Sequence, residues 1–165
     1  MKIFVAVLTG LLIGAAGGLG IFYHNEIKNF KAAEWTNPPI LVDCTHGSLS
    51  IERLNESIKF WDDFGHKIGF AETNPPAGVC LQDHIHGFII IKNADLEWPT
   101  LGRTQRKGTL SGEISSAYIE LSFGDANAPR LLEHELGHAF GYKHLDIDGH
   151  IMHSIYDYSG YRFWD

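Results

Sequence analysis

Cysteine occurs only twice in the 165 residues, as Cys44 and Cys80, and neither lies in a zinc-binding pair. A disulfide-dense scaffold is thereby excluded, and a single Cys44–Cys80 bridge, in an oxidising compartment, is the most the chain can form. Basic residues are also few. Lys and Arg number 13 against 20 Asp and Glu, giving a net charge of −7. Without a Lys/Arg stripe there is no electrostatic reason to bind nucleic acid, and the one basic cluster, Arg103, Arg106 and Lys107, reads as a solvated loop. Neither low complexity nor a disordered composition is present: 44% of residues are hydrophobic and 20% charged. That is enough apolar material for one globular domain with a core of its own.

The N-terminus differs from the rest. From Ile3 to Tyr23 there is no charged residue, and a helix of that length spans about 30 Å of hydrocarbon. Two readings stand. A signal peptide cleaved near Ala16 to Gly18 fits the short positive start and the small residues. An uncleaved signal-anchor helix fits the apolar residues that resume at Leu19. In both, the body is exported, either secreted or held at a membrane of the cell envelope through residues 3–23. Residues 24–39, polar and ending in Pro38-Pro39, read as a stalk, and 40–165 as the folded domain.

Within that domain, Ile40 to Cys44 is a short apolar run of strand type. Ser48 or Ser50 can cap a helix through about Phe64, where Ile51, Leu54, Ile58, Trp61 and Phe64 approximate a 3.6-residue period and Gly65 ends it. Lys67 to Phe70 is a candidate second strand, followed by a loop at 74–78. Gly87 to Lys92 is apolar on both faces, as a central strand should be. Ile114 to Ser122 alternates and reads as the last strand before a helix that Asp125 or Asn127 can cap, with Pro129 tolerated in its first turn. Leu132, Leu136, Ala139 and Phe140 form the face of that helix turned to the sheet.

On this helix lies the stretch His134-Glu135-Leu136-Gly137-His138-Ala139-Phe140-Gly141-Tyr142-Lys143-His144. Residues four apart share a helix face, so His134 and His138 can present their rings to one point. A straight continuation would carry His144 away, but Gly141 can take φ > 0, end the helix and turn the chain back. Three neutral imidazoles with an open fourth position make a catalytic zinc site, and Glu135, not needed as a ligand, can serve as general base. With five fixed positions in eleven, the pattern has a chance expectation of about 2 × 10⁻⁴ in this composition, far below that of a bare HExxH.

At these residues the chain resembles the metzincin clan of zinc metallopeptidases, whose motif is HExxHxxGxxH followed by a Met-turn. It is most similar to small matrixin-like domains, over roughly residues 98–155. The resemblance implies that Met152 forms the Met-turn, an apolar floor that does not ligate the metal. It also implies an α+β, zincin-like fold: a twisted, mostly parallel sheet of about five strands with an antiparallel edge strand, a backing helix and an active-site helix. Leu101, Gly102, Arg103 and Thr104 would belong to the edge strand along the substrate cleft. Two departures leave the subfamily open. The residue after the third His is Leu145, and the position two past the Met, a ligating Tyr in some members, is Ser154, although Tyr156 could still reach the site. His150 and His153 read as exposed turn residues, with contact to substrate or metal as the alternative. Asp83, His84 and His86 admit a second, structural metal as some matrix-type members have, against the plainer reading of loop histidines.

The expected activity is zinc-dependent hydrolysis of peptide bonds in a peptide or protein substrate. The competing expectation is an exported, zinc-stabilised module that binds without cutting.

Overall fold

The computed structural model describes residues 33–158, Gly160 and Phe163; the 3–23 run lies outside the described residues. Six strands form in chain order: β1 (Glu34–Trp35), β2 (Ile40–Asp43), β3 (Phe70–Glu72), β4 (Phe88–Ala94), β5 (Gly102–Gly108) and β6 (Glu113–Ser122). Among the described residues three α-helices accompany them, α1 (Ile51–Asp63), the single turn α2 (Ala77–Cys80) and α3 (Leu131–Ala139), with a 3-10 turn at Tyr156–Tyr158. Among the described residues no helix is long and apolar enough to cross a membrane.

The sheet runs β1-β6-β4-β2-β3 with every neighbour parallel, and β5 adds to β6 antiparallel. The architecture is α+β on a mostly parallel sheet. β4 is central, and its Ile89, Ile90 and Ile91 are fully buried, as an apolar run must be when both faces are covered. Ile90 joins Val42, Cys44 and Tyr118 on one face, against Val79, Cys80 and Ile85. A Cys44–Cys80 disulfide, Cα atoms 5.5 Å apart, ties that covering segment to the end of β2. α1 and α3 pack on each other, and α3 packs on β5 and β6. Trp61 of α1 is completely buried, and its indole donates to the Glu133 carbonyl of α3 at 2.7 Å.

Several elements depart from expectation. The sheet has six strands rather than about five, because Glu34–Trp35, within the 24–39 segment read as a stalk, pairs with the start of β6. A two-residue strand carries no periodicity; it is held by the Trp35 indole, which donates to the Ala139 carbonyl at 2.9 Å. β3 begins at Phe70 rather than Lys67. Gly69 passes so close to Pro38 that a Cβ there would lie 3.2 Å from its carbonyl oxygen, and pairing starts only beyond that crossing. The loop expected at 74–78 gives way to α2 at Ala77. α1 is as expected: Ser50 caps it, accepting from Arg53 N. α3 is not capped by Asp125 or Asn127. It starts at Leu131, after Arg130 in a left-handed conformation (φ 69°). The Asn127 amide instead accepts from Ser50 N at 2.7 Å and donates to the Ser48 carbonyl at 2.6 Å. Its capping chemistry is used to pin the α3 approach to the start of α1.

Candidate metal centre

α3 sets the first two imidazoles. His134 and His138 project from one face, their rings are held from behind, and both holding bonds involve Nδ1: His134 to the Ile151 carbonyl and His138 to the Tyr142 carbonyl, each at 2.8 Å. A carbonyl only accepts, so both Nδ1 atoms carry the proton and both Nε2 atoms present a lone pair. The chain then turns at Gly141, φ +105°. A Cβ at that position would also sit 2.1 Å from the Ala33 carbonyl oxygen, so glycine is required twice over. The turn returns His144, whose Nε2 lies 3.1 Å from that of His138; His134 Nε2 is also 3.1 Å from His138 Nε2.

Two unprotonated nitrogens at 3.1 Å cannot hydrogen-bond each other; their lone pairs repel unless a cation lies between them. The three histidines are the only group of three or more His, Cys, Asp or Glu ligands gathered in this way among the described residues, and they could hold a metal ion. Burial favours the neutral ligand form. It pushes the His134 pKa down to about 4 and that of His138 to about 3, and it moves the more exposed His144 in the same direction.

Glu135 sits on the adjoining side of α3, 4% exposed. Thr104 of β5 donates its hydroxyl to Glu135 Oε2 at 2.6 Å. Burial raises the carboxyl pKa to about 7, with the Thr104 bond pulling the other way. Gly102, two residues back on the same side of β5, leaves the space the carboxylate occupies: a Cβ there would lie 2.6 Å from Glu135 Oε1 and 2.9 Å from Cδ. Met152 is fully buried in the turn whose Ile151 carbonyl holds His134. A Cβ on Gly137 would meet its sulfur at 2.2 Å, so the floor of the site depends on a glycine in mid-helix.

The three histidines and Glu135 line a cleft of about 470 Å³, bounded by Pro99 to Thr104, Arg106, Leu131, His153, Ser154 and Tyr156. All four expected edge-strand residues, Leu101 to Thr104, line it, although Arg103 turns its guanidinium to Glu120 at 2.6 Å. Tyr156 lines it with its hydroxyl donated to the Pro129 carbonyl at 2.9 Å. Ser154 is bonded to Asp146. The exposed-turn reading of His150 and His153 is corrected, since both are buried. Neither ring of that pair joins the triad. His150 bonds the Phe163 carbonyl and accepts from Met152 N, which builds the turn from within. His153 accepts from Ile155 N and borders the cleft. Among the described residues His84 and His86 acquire no third ligand: His84 Nδ1 lies 3.1 Å from Ser116 Oγ, and Asp83 pairs with Lys92.

Two contributors escaped the sequence reading. Glu133, buried one residue before His134, forms a two-oxygen contact with Arg53 of α1 at 2.5 Å, bolting α3 to its neighbour. A charged residue on the buried side of the helix was the available signal. Gly137 is the other, and the signal was a helix-weakening glycine with no turn to explain it. Compared with the models of known protein families and with curated proteins, the chain matches none.

Proposed function

We propose that the protein is a zinc-dependent endopeptidase of metzincin-like architecture. The observation that carries this reading is the convergence of three imidazole nitrogens beside a buried carboxylate in an open cleft. Nitrogens 3.1 Å apart are close to the roughly 3.3 Å separation that a tetrahedral ion with bonds of about 2.0–2.1 Å imposes. All-nitrogen ligation by three histidines with a free corner suits zinc in a catalytic rather than a structural role. Zinc bound there supplies Lewis acidity, bringing the pKa of a water toward about 7 and polarising a carbonyl oxygen.

The remaining steps belong to the chain. Glu135 takes a proton from the attacking water and returns it to the leaving amine, and Thr104 holds its carboxylate in place for both transfers. The Ile151 and Tyr142 carbonyls keep His134 and His138 in the tautomer that offers Nε2 and strengthen them as ligands. β5 pairs only with β6 among the described residues, so its other edge is free to take an extended peptide as an added strand, and the cleft walls select side chains. Export of the body rests on the apolar 3–23 run, and the Cys44–Cys80 bridge is in keeping with it.

The test is metal analysis of the purified chain together with cleavage of a mixed peptide library, with and without a chelator. One zinc per chain and cleavage that chelation stops and zinc restores are expected. Glu135→Gln should retain the zinc and lose about 10²- to 10⁴-fold in rate. Stoichiometric zinc with no turnover on any peptide would instead favour a binding module.

A further inference from the structure

Along β5, Gly102, Thr104 and Arg106 alternate onto one side, in unbroken antiparallel register with Leu121, Ile119 and Ala117. The first two meet Glu135, so Arg106 faces the same way, and it lines the same cleft. Its charge lies within electrostatic reach of His138. What sets Arg106 apart from Arg103 is the lack of a counter-charge. Arg103 is paired with Glu120; among the described residues no carboxylate bonds to or pairs with Arg106. Among the described residues Glu135 is the one acidic residue lining the cleft, and it is engaged by Thr104. In a chain of net charge −7, the wall beside the candidate metal centre carries a cation with no carboxylate partner among the described residues.

We propose that Arg106 is a specificity determinant that binds a carboxylate of the peptide within a few residues of the scissile bond; this rests on the peptidase reading above. A guanidinium offers a planar fork of donors matched to the two oxygens of a carboxylate. Following β5 from Gly102 to Arg106 leads from Glu135 toward His138. A peptide added antiparallel to β5 therefore brings residues on the N-terminal side of the scissile bond to Arg106, and only a side-chain carboxylate serves there. A parallel peptide brings the C-terminal side, where a chain-terminal carboxylate also serves.

The experiment uses two sets of peptides. In one, acetylated and amidated peptides carry Asp or Glu, or the isosteric Asn or Gln, at each position around the cleaved bond. In the other, the same uncharged sequence ends in a free carboxylate or an amide. kcat/KM is measured on the zinc-loaded full chain, and binding of the labelled peptides by fluorescence anisotropy on Glu135→Gln. A carboxylate should be favoured over its amide by roughly ten- to a hundredfold at one position, and the ratio should shrink as salt is raised. The ratio should fall to about one in Arg106→Gln, and Arg106→Glu should prefer Lys at that position. Equal binding of carboxylate and amide peptides, or a preference that survives in Arg106→Gln, overturns the assignment. Binding decides this even where nothing is cut, whereas failure of every peptide to be cleaved counts against the peptidase reading alone.

Discussion

Replacing Gly102 by Ala separates the proposed chemistry from folding. Gly102 does not have the positive φ seen at other glycines of the chain, so alanine fits its backbone, and fewer unfolded conformations favour the native state by about 0.4–1 kcal/mol. The added methyl nevertheless occupies space held by Glu135: 2.6 Å from Oε1 and 2.9 Å from both Cδ and Cγ. Normal contact at about 3.4 Å or more requires the carboxylate to retreat by roughly 0.5–0.8 Å. Retreat breaks the 2.6 Å bond from Thr104, a charge-assisted contact that contributes about 1.5–3 kcal/mol. A displacement of that size in a proton-transfer group costs on the order of a hundredfold in rate. The expected result is a kcat/KM for peptide cleavage down by about that factor, with zinc content unchanged and a Tm within a few degrees of wild type. Thr104→Val, which removes the bond without crowding the carboxylate, should lose less. Wild-type activity in Gly102→Ala would refute the placement of Glu135 as base. Loss of zinc together with activity would show that the strand supports the metal ligands instead.

Three further outcomes follow from the geometry. Gly141→Ala combines left-handed strain of about 1–3 kcal/mol with a 2.1 Å clash on Ala33; it should lower both the Tm and the zinc content, because the turn that returns His144 cannot close. Glu133→Gln weakens the charged contact to Arg53, which keeps Glu56 as a partner, and should cost about 1–3 kcal/mol in denaturant unfolding, whereas the double variant Arg53→Met with Glu133→Leu should cost less than either single change. Chelation should lower the Tm, since the facing lone pairs of His134 and His138 are then uncompensated, and zinc at about 100-fold over its Kd should restore roughly 2.7 kcal/mol.

The site was more legible in the sequence than the scaffold around it. His134, Glu135 and His138 could be placed because helical spacing leaves few alternatives, and His144 because a glycine at 141 has a conformational meaning that no other residue shares. Gly102 and Thr104 were named as part of a cleft strand, but their function against Glu135 was not. A glycine that makes room for a residue 33 positions away leaves no local pattern. The same holds for Glu34–Trp35, whose place in the sheet depends on the Ala139 carbonyl, and for Asn127, whose amide reads locally as a helix cap and is used over a long range on the start of α1.

His150 shows where local reading fails for a physical reason. In Gly149-His150-Ile151-Met152-His153, polar side chains beside glycine suggest an exposed turn, and a solvated turn would satisfy its backbone with water. Here the turn lies beneath the three histidines and is buried, so its N–H and C=O groups need partners within the protein. His150 accepts from Met152 N and bonds the Phe163 carbonyl, the Met152 carbonyl accepts from Leu145 N, and Ile151 gives its carbonyl to His134. The histidine that looked like a surface residue thus organises the floor on which His134 rests. Replacing it with a residue that cannot bond on both sides, such as Leu, should loosen His134 before it unfolds the domain, so zinc affinity should fall by about 10- to 100-fold at a Tm that falls only modestly. An unchanged zinc affinity in His150→Leu would show that the turn holds His134 without it.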